Sequence, residues 1–327
     1  AQDHYDQNQS TLKDRPLILV RDTLKALQSL ARTWRRLLKP LVIAITGSSG
    51  KTSTKEILKQ VFARDFKVHA TPANWNNEIG VPKTLLMLTP EHNLCLIEMG
   101  MRGSGQIQEL CEIAEPDYGV ITNIGPVHIG ELGSQEAVVN AKWELAEYLF
   151  AHTPTDRPCL VINHDNAFLN AQYKKLSAGL QKRVLRAGST EAGEICLQAS
   201  VLDSSASPAE PYQRITYQQA EKSPRDIVLD LLGTHQARNL LCGLVLLETL
   251  QKPPLEDQLH LHVPRLSGRQ ESHRLPGDGR LINDSYNANP DSMRAALQAL
   301  VQLPGPHLAV LGLMGELGPE AERYHQE

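Results

Sequence analysis

From Leu41 onward the chain alternates short apolar runs with longer stretches in which apolar residues recur every three or four positions. The runs at 41–46, 66–70, 94–98, 118–123, 159–163 and 183–187 predict strands. The stretches at 52–63, 80–88, 104–114, 134–150 and 166–178 predict helices between them. Strand and helix in strict alternation predict an α/β fold, a mainly parallel sheet covered by helices on both faces.

The pattern changes at 194–230. Short β-like runs, Ile195 to Val201, Gln213 to Gln218 and Asp226 to Leu231, are separated by Ser/Pro/Glu-rich turns. They predict a small antiparallel addition. A helix is expected from Gln236 to Leu250, and Pro253, Pro254 and Pro264 then mark a boundary. Beyond it, a strand at Arg280 to Asn283, a helix at Asp291 to Leu303 and a strand at His307 to Leu311 predict the start of a second, Rossmann-like α/β unit. Upstream, residues 1–15 are polar and are expected to be disordered, and 17–38 read as a strand end followed by a helix.

A length of 327 residues fits two domains and part of a third. The net charge of −4 gives no global basic field, so nucleic acid is not an expected partner. Arg32, Arg35, Arg36 and Lys39 form one basic cluster, read as a solvated helix face. The five cysteines show no C-x-x-C spacing and several sit in apolar runs, as buried free thiols of a reducing cytoplasm do. No apolar stretch reaches the length of a membrane span.

Chemistry is concentrated at strand ends. Residues 45–54 read Ile-Thr-Gly-Ser-Ser-Gly-Lys-Thr-Ser-Thr, between an apolar strand and a helix. This is the order of a phosphate-binding loop, although Gly47 lies closer to Gly50 than the general pattern has it. Gly47, Ser48, Ser49, Gly50, Lys51, Thr52 and Ser53 would cradle phosphates, Lys51 meeting the β/γ-phosphates and the Thr52 hydroxyl holding Mg²⁺. A Ser/Gly-rich turn capping a helix is the alternative.

Glu98 closes a strand and is a candidate Mg²⁺ ligand, or else a surface or capping carboxylate. His128 lies in a glycine-flanked loop after the next strand, as a ligand or as a structural histidine. Lys142 shares a helical face with Val138, Leu145 and Leu149. Its pattern alone reads as a lysine whose stem lies on apolar surface while its head reaches water. A neutral amine there would instead react with CO₂ to give a metal-binding carbamate.

Asn74, Asn76 and Asn77 surround Trp75 and would bind a polar substrate or make Asx turns. His235 and Asn239 are one helical turn apart and would both face a base. Arg269 would meet phosphate, and Asp284, Asn287 and Asn289 lie in a polar loop after a strand.

Together these segments resemble the Mur ligases of peptidoglycan synthesis, and within that family its D-alanyl-D-alanine-adding branch. The resemblance rests on Thr46–Thr52, on Asn74-Trp75-Asn76-Asn77-Glu78-Ile79-Gly80-Val81-Pro82, on Ala141-Lys142-Trp143-Glu144, on Asp284-Ser285-Tyr286-Asn287-Ala288-Asn289-Pro290 and on Gly315-Glu316-Leu317-Gly318, in that order. It implies an ATP-dependent amide ligase that joins D-Ala-D-Ala to UDP-MurNAc-tripeptide through an acyl phosphate. It implies ATP and Mg²⁺ as cofactors, with Thr52, Glu98, His128 and a carbamylated Lys142 at the metal site. Lys51, Lys142 and His128 would be catalytic. His235 and Asn239 would contact adenine, and Arg269 and Asp284 the nucleotide.

The implied divisions are 1–39, the remnant of a UDP-substrate-binding domain and linker; 40–264, the central ATP-binding domain; and 265–327, part of a C-terminal ligase domain. The chain is thus expected to be cut at both ends, and its protein to be a cytoplasmic monomer. Two alternatives stay open. A folylpolyglutamate-synthase-like or other Mur-type ligase shares the core, though the Ser-Ser loop and the Asn-rich segment argue against the former. A nucleotide-binding fragment without turnover is the second.

Overall fold

The computed structural model describes residues 17–127, 129–189, 193–203, 212–219 and 222–327. The polar stretch 1–15 lies outside them, and so does His128. Strands are β1 Leu41–Thr46, β2 Val68–Ala70, β3 Leu94–Glu98, β4 Tyr118–Ile121, β5 Leu160–Asn163, β6 Val184–Gly188, β7 Ile195–Asp203, β8 Tyr212–Gln219, β9 Arg225–Leu229, β10 Leu259–Leu261, β11 Glu271–Arg274 and β12 Arg280–Asn283. Helices are α1 Thr23–Leu38, α2 Lys51–Phe62, α3 Gly80–Leu86, α4 Gln106–Ala114, α5 Ile129–Leu132, α6 Gln135–His152, α7 Ala167–Lys175, α8 Ala178–Gln181, α9 Thr234–Thr249, α10 Pro290–Leu300 and α11 Ala321–Gln326.

β1 to β10 form one ten-stranded sheet in the order β10-β9-β8-β7-β6-β5-β4-β1-β3-β2. Alternate residues of β1 feed two cores. Val42 and Ala44 join a core on one face with α4 and α6, while Ile43 and Ile45 join a second with α2 and α9. A strand covered on both sides has no room for polar residues, which is why these strands read as unbroken apolar runs.

The mainly parallel α/β prediction holds, with a refinement. The expected antiparallel addition is continuous with the main sheet: β7 pairs in parallel with β6, and only β8 is antiparallel to its neighbours.

Other differences have local causes. The predicted strand at 66–70 shortens to Val68–Ala70, and the helix expected at 166–178 ends at Lys175, with α8 a separate short turn. Residues 17–22 form no strand. β11, Glu-Ser-His-Arg, has no apolar residue to betray it, yet it pairs antiparallel with β12, so the strand expected at Arg280–Asn283 lies in a hairpin. The strand expected at His307 to Leu311 does not form. A strand needs a ladder partner, and among the described residues none flanks this segment, so Leu308 and Val310 stay 86% and 92% exposed.

Of the basic cluster, Arg36 and Lys39 stay exposed as expected, but Arg35 turns inward. Arg35 donates to the Ala114 and Glu115 carbonyls at the end of α4, at 3.1 and 2.7 Å, and to Asp117 at 3.2 Å. Arg36 pairs with Glu115. With the Trp34 indole donating to the Leu88 carbonyl at 2.9 Å, they bind α1 to the central body. All five cysteines are free and buried, as expected.

The end of α6 rests on Arg183, which is 3% exposed. Its guanidinium donates to the carbonyls of Leu149, Phe150 and Thr153 at 3.1, 2.8 and 3.2 Å. Phe150 is a last-turn acceptor that the helix leaves open, while the Leu149 carbonyl also accepts from the Thr153 amide at 3.0 Å. Arg183→Met is expected to cost about 2–4 kcal/mol, since buried carbonyls lose a charged donor. Urea denaturation measures this, and a loss below about 1 kcal/mol would show that water replaces the guanidinium.

Candidate active site

The sheet reverses its winding at β1, which lies between β3 and β4. Such switch points open a crevice at the carboxyl ends of the strands. Residues 47–50 leave β1 there and enter α2. Gly50 is the N-cap at φ 80°, and it provides no side-chain cap. The first-turn N–H groups of α2 are therefore left for an anion.

The loop is braced from the end of β4. The Ser48 and Ser49 amides donate to the backbone oxygen and the side-chain Oδ1 of Asn123, at 2.9 and 2.8 Å. The Thr122 hydroxyl donates to the Ser49 carbonyl at 2.6 Å. Contact here is close: a Cβ on Gly47, whose φ is 152°, would lie 2.0 Å from Thr122 Oγ1. The Lys51 ammonium donates to the Gly47 carbonyl at 2.7 Å, folded back over the loop. Burial lowers its pKa, Glu98 opposes that, and Arg269 adds to it. Thr52 is 3% exposed, and Ser53 follows it in the first turn.

Glu98 is 1% exposed. Its Oε1 accepts from Asn76 Nδ2 at 2.8 Å, and its backbone N–H donates to Thr71 Oγ1 at 2.9 Å. Its Oε2 is buried with no hydrogen-bond partner among the described residues. A buried carboxylate oxygen is costly to leave bare, and a hard cation would satisfy it. A Thr hydroxyl and such a carboxylate are oxygen donors that suit Mg²⁺.

Lys142 differs from the snorkelling lysine that its pattern suggests. It is 1% exposed, and its amine has no hydrogen bond among the described residues. Burial drives its pKa well below the ordinary lysine value, and nearby Lys51 pushes the same way. The unprotonated form of an amine, which a lowered pKa favours, is the form that reacts with CO₂. Its neighbour Glu144 instead accepts from the Gly105 and Gln108 amides at the start of α4.

α9 approaches the loop from the other side. Asn239 is 7% exposed, and its Oδ1 would lie 3.3 Å from a Cβ on Gly50. Its Nδ2 donates to Gln236 Oε1 at 3.1 Å. His235 sits one turn earlier, its pKa lowered to about 4 by burial and by Arg238. From the C-terminal segment, Arg269 lies over the Tyr286 ring at 4.0 Å. Asp284, which is exposed, accepts from the Gln270 amide at 3.1 Å.

The asparagines divide. Asn76 holds Glu98, while Asn74 and Asn287 are exposed. Asn77 accepts from the Gly80 amide at 2.8 Å, and Asn289 is the N-cap of α10 in a reciprocal pair with Ser292. Sequence reasoning missed Thr71, Thr122, Asn123 and Asp291, whose Oδ2 would lie 1.9 Å from a Cβ on Gly125. Thr122 and Asn123 carried a usable signal, since they directly follow a strand beside the loop strand.

An uncapped glycine loop at a switch point, with a buried lysine, a threonine and a bare carboxylate around it, defines a nucleotide-binding α/β protein. Residues 45–247 match the Mur ligase middle domain and residues 268–327 the Mur ligase glutamate ligase domain. The chain belongs to the Mur ligase family.

It is 38% identical over 309 residues to the UDP-N-acetylmuramoyl-tripeptide–D-alanyl-D-alanine ligase of Synechocystis sp., covering 94% of this chain and 63% of that protein. The crystal structure of MurF from Acinetobacter baumannii superposes with a TM-score of 0.81 at 29% identity, over 95% of this chain and 67% of that one. The MurF ligase from Thermotoga maritima in complex with ADP gives 0.81 at 27% identity, over 96% and 69%. The chain thus spans about two thirds of the length of such relatives.

The neutral His235 makes stability pH-dependent. Its folded pKa of about 4 lies below the ordinary 6.5, so the unfolded chain binds the proton first. Stability is therefore full above pH 6.5 and falls as pH drops toward 4. Between pH 7 and pH 5 the loss is about 2 kcal/mol from this group alone. Urea denaturation of wild type and His235→Gln at both pH values checks it. Parallel pH dependence in the two proteins would sink the assignment.

Proposed function

We propose that this chain carries the catalytic core of an ATP-dependent ligase that joins D-alanyl-D-alanine to UDP-MurNAc-tripeptide in peptidoglycan precursor synthesis. One observation carries the reading. The uncapped phosphate loop, the unpartnered Glu98 oxygen and the buried Lys142 amine are grouped at one switch point. The chain's likeness to a UDP-N-acetylmuramoyl-tripeptide–D-alanyl-D-alanine ligase over 94% of its length supports the choice of substrates.

In this reading the terminal carboxylate of the tripeptide attacks the γ-phosphorus of ATP. ADP leaves and an acyl phosphate forms. The amine of D-Ala-D-Ala attacks the acyl carbon, phosphate leaves with the bonding pair, and the nitrogen gives up its proton. Both reactants of the first step are anions. Lys51 relieves their repulsion by turning from the Gly47 carbonyl to the β/γ-phosphates, and the loop amides receive the remaining charge.

His235 and Asn239 face the base. Arg269 and Asp284 contact the nucleotide from the C-terminal segment, so domain closure completes the site. Asn74, Asn76 and Asn287 supply polar contacts to substrate. Asn77 and Asn289 act by holding the helices that frame it.

Thr52, Glu98, His128 and a carbamate on Lys142 would hold Mg²⁺. Bound there, the metal supplies charge neutralisation on the phosphoryl oxygens and orients the carboxylate. Lys142 serves as a carbamate because a second lysine cation beside Lys51 would be unpaired in a dry site. In this reading the protein works in the cytoplasm as a monomer. Its five buried free thiols fit a reducing compartment, and no described helix is long and apolar enough to cross a membrane.

A ligation assay with ATP, UDP-MurNAc-tripeptide and D-Ala-D-Ala, set against single amino acids, tests the reading. Product with a single amino acid and none with the dipeptide would reassign the substrate. Lys51→Ala is expected to lower turnover by about 100-fold or more with the fold intact. Near wild-type turnover would remove Lys51 from the phosphate site. Lys142→Ala is expected to lose most activity and to regain part of it in formate or acetate, which supply the missing anion. A fully active Lys142→Ala enzyme would refute the carbamate.

A further inference from the structure

Two histidines on the far edge of the sheet are unused by this chemistry. Among the described residues β10 is an edge strand paired with β9 alone. Side chains along a strand alternate, so His260 and His262 emerge on the same face, while Leu261 between them is buried at 5% exposure. Asp230 follows the last residue of β9 and meets both rings. His260 Nε2 contacts Asp230 Oδ1, and His262 Nδ1 lies 2.9 Å from Asp230 Oδ2. The ring centroids are 4.0 Å apart. One ligand atom from each of the three residues lies within 4.8 Å of the other two.

We propose that Asp230, His260 and His262 form a binding site for a divalent transition metal, best matched by Zn²⁺. Two imidazole nitrogens and a carboxylate oxygen are a donor set that zinc accepts, with a fourth position left for water. The nitrogens argue against Mg²⁺ or Ca²⁺, which take oxygen ligands. Bonds of about 2.0–2.2 Å at tetrahedral angles separate ligand atoms by about 3.3 Å, so small rotations of exposed rings suffice.

The bland reading is a carboxylate shared by two histidines as hydrogen-bond donors. It explains each contact singly. It does not by itself set the two ring centroids 4.0 Å apart.

The position gives the metal a structural consequence. Gly233, which precedes α9 and its His235, lies three positions after Asp230, and Arg269 lies seven after His262. An ion here ties the ends of β9 and β10 together where the chain leaves for α9 and for the C-terminal segment. The site is independent of the ligase reading, because none of its three residues belongs to the phosphate loop or the Glu98 cluster.

The test is titration of the metal-free protein with Zn²⁺ by calorimetry, in saturating Mg²⁺ to occupy oxygen-donor sites. Co²⁺ absorption then serves as a second probe of tetrahedral N/O ligation. We expect one equivalent of Zn²⁺, a rise in melting temperature on binding, and visible Co²⁺ bands that Zn²⁺ abolishes. Asp230→Asn and the His260→Gln/His262→Gln double variant are expected to weaken Zn²⁺ more than about tenfold, the loss seen even for outer-shell partners. Circular dichroism confirms that each variant is folded, and the conservative Asp230→Asn keeps a hydrogen-bonding group if the double variant is not. No Zn²⁺ binding by wild type, or affinity and Co²⁺ bands unchanged in a folded variant, would overturn the site.

Discussion

The phosphate loop must stay open, and that constraint organises the molecule. A loop of bare amides at a helix start has no side-chain cap of its own, so it would collapse onto its own carbonyls unless held from outside. Asn123 and Thr122 provide the hold, through both backbone and side chain. They reach the loop only because β4 runs parallel beside β1 with Ile121 opposite Thr46. The order of strands in the sheet is thus what keeps the loop amides free for an anion. Gly47 accommodates the contact because it has no Cβ to strike Thr122.

A second theme is charge kept out of water. Lys142 and Glu98 are 1% exposed, Lys51 is partly buried, and burial is the first cause of each lysine's lowered pKa. A third buried lysine, Lys55, is treated differently. Its ammonium donates to the Thr71 carbonyl at 2.7 Å and pairs with Glu56 at 2.9 Å. Thr71 in turn receives the Glu98 amide. Lys55 is therefore satisfied and structural, and it fixes the floor on which Glu98 stands. Two lysines buried to the same degree, Lys55 and Lys142, are separated by whether a partner is present. A buried lysine without a partner is disfavoured as a cation, so its place beside Lys51 points to chemistry.

The C-terminal segment contributes through a few contacts. Arg269 bears on Lys51, Asp291 rests against Gly125, and the Gly130 amide donates to the Glu316 carbonyl at 3.3 Å. Gln270 ties the segment to the central body by exchanging bonds with both backbone groups of Leu232. These are polar, local contacts of the sort that permit one unit to hinge on another.

By itself the sequence determined the alternating layers, the loop, and the buried strands around it. Apolar runs and glycine spacing are local signals, and local signals survive without a structure. It also placed Lys142 on an apolar face, but pattern alone favoured a head in water, because burial is a property of what packs against a face. Only the tertiary structure decided that no described neighbour satisfies that amine. Only it decided that β11, which has no apolar residue, would still pair, and that the apolar run at 307–311 would not. Strand pairing is settled by partners distant in sequence. The same reason explains why Asp230, His260 and His262, unremarkable along the chain, became a cluster only when β9 and β10 were laid side by side.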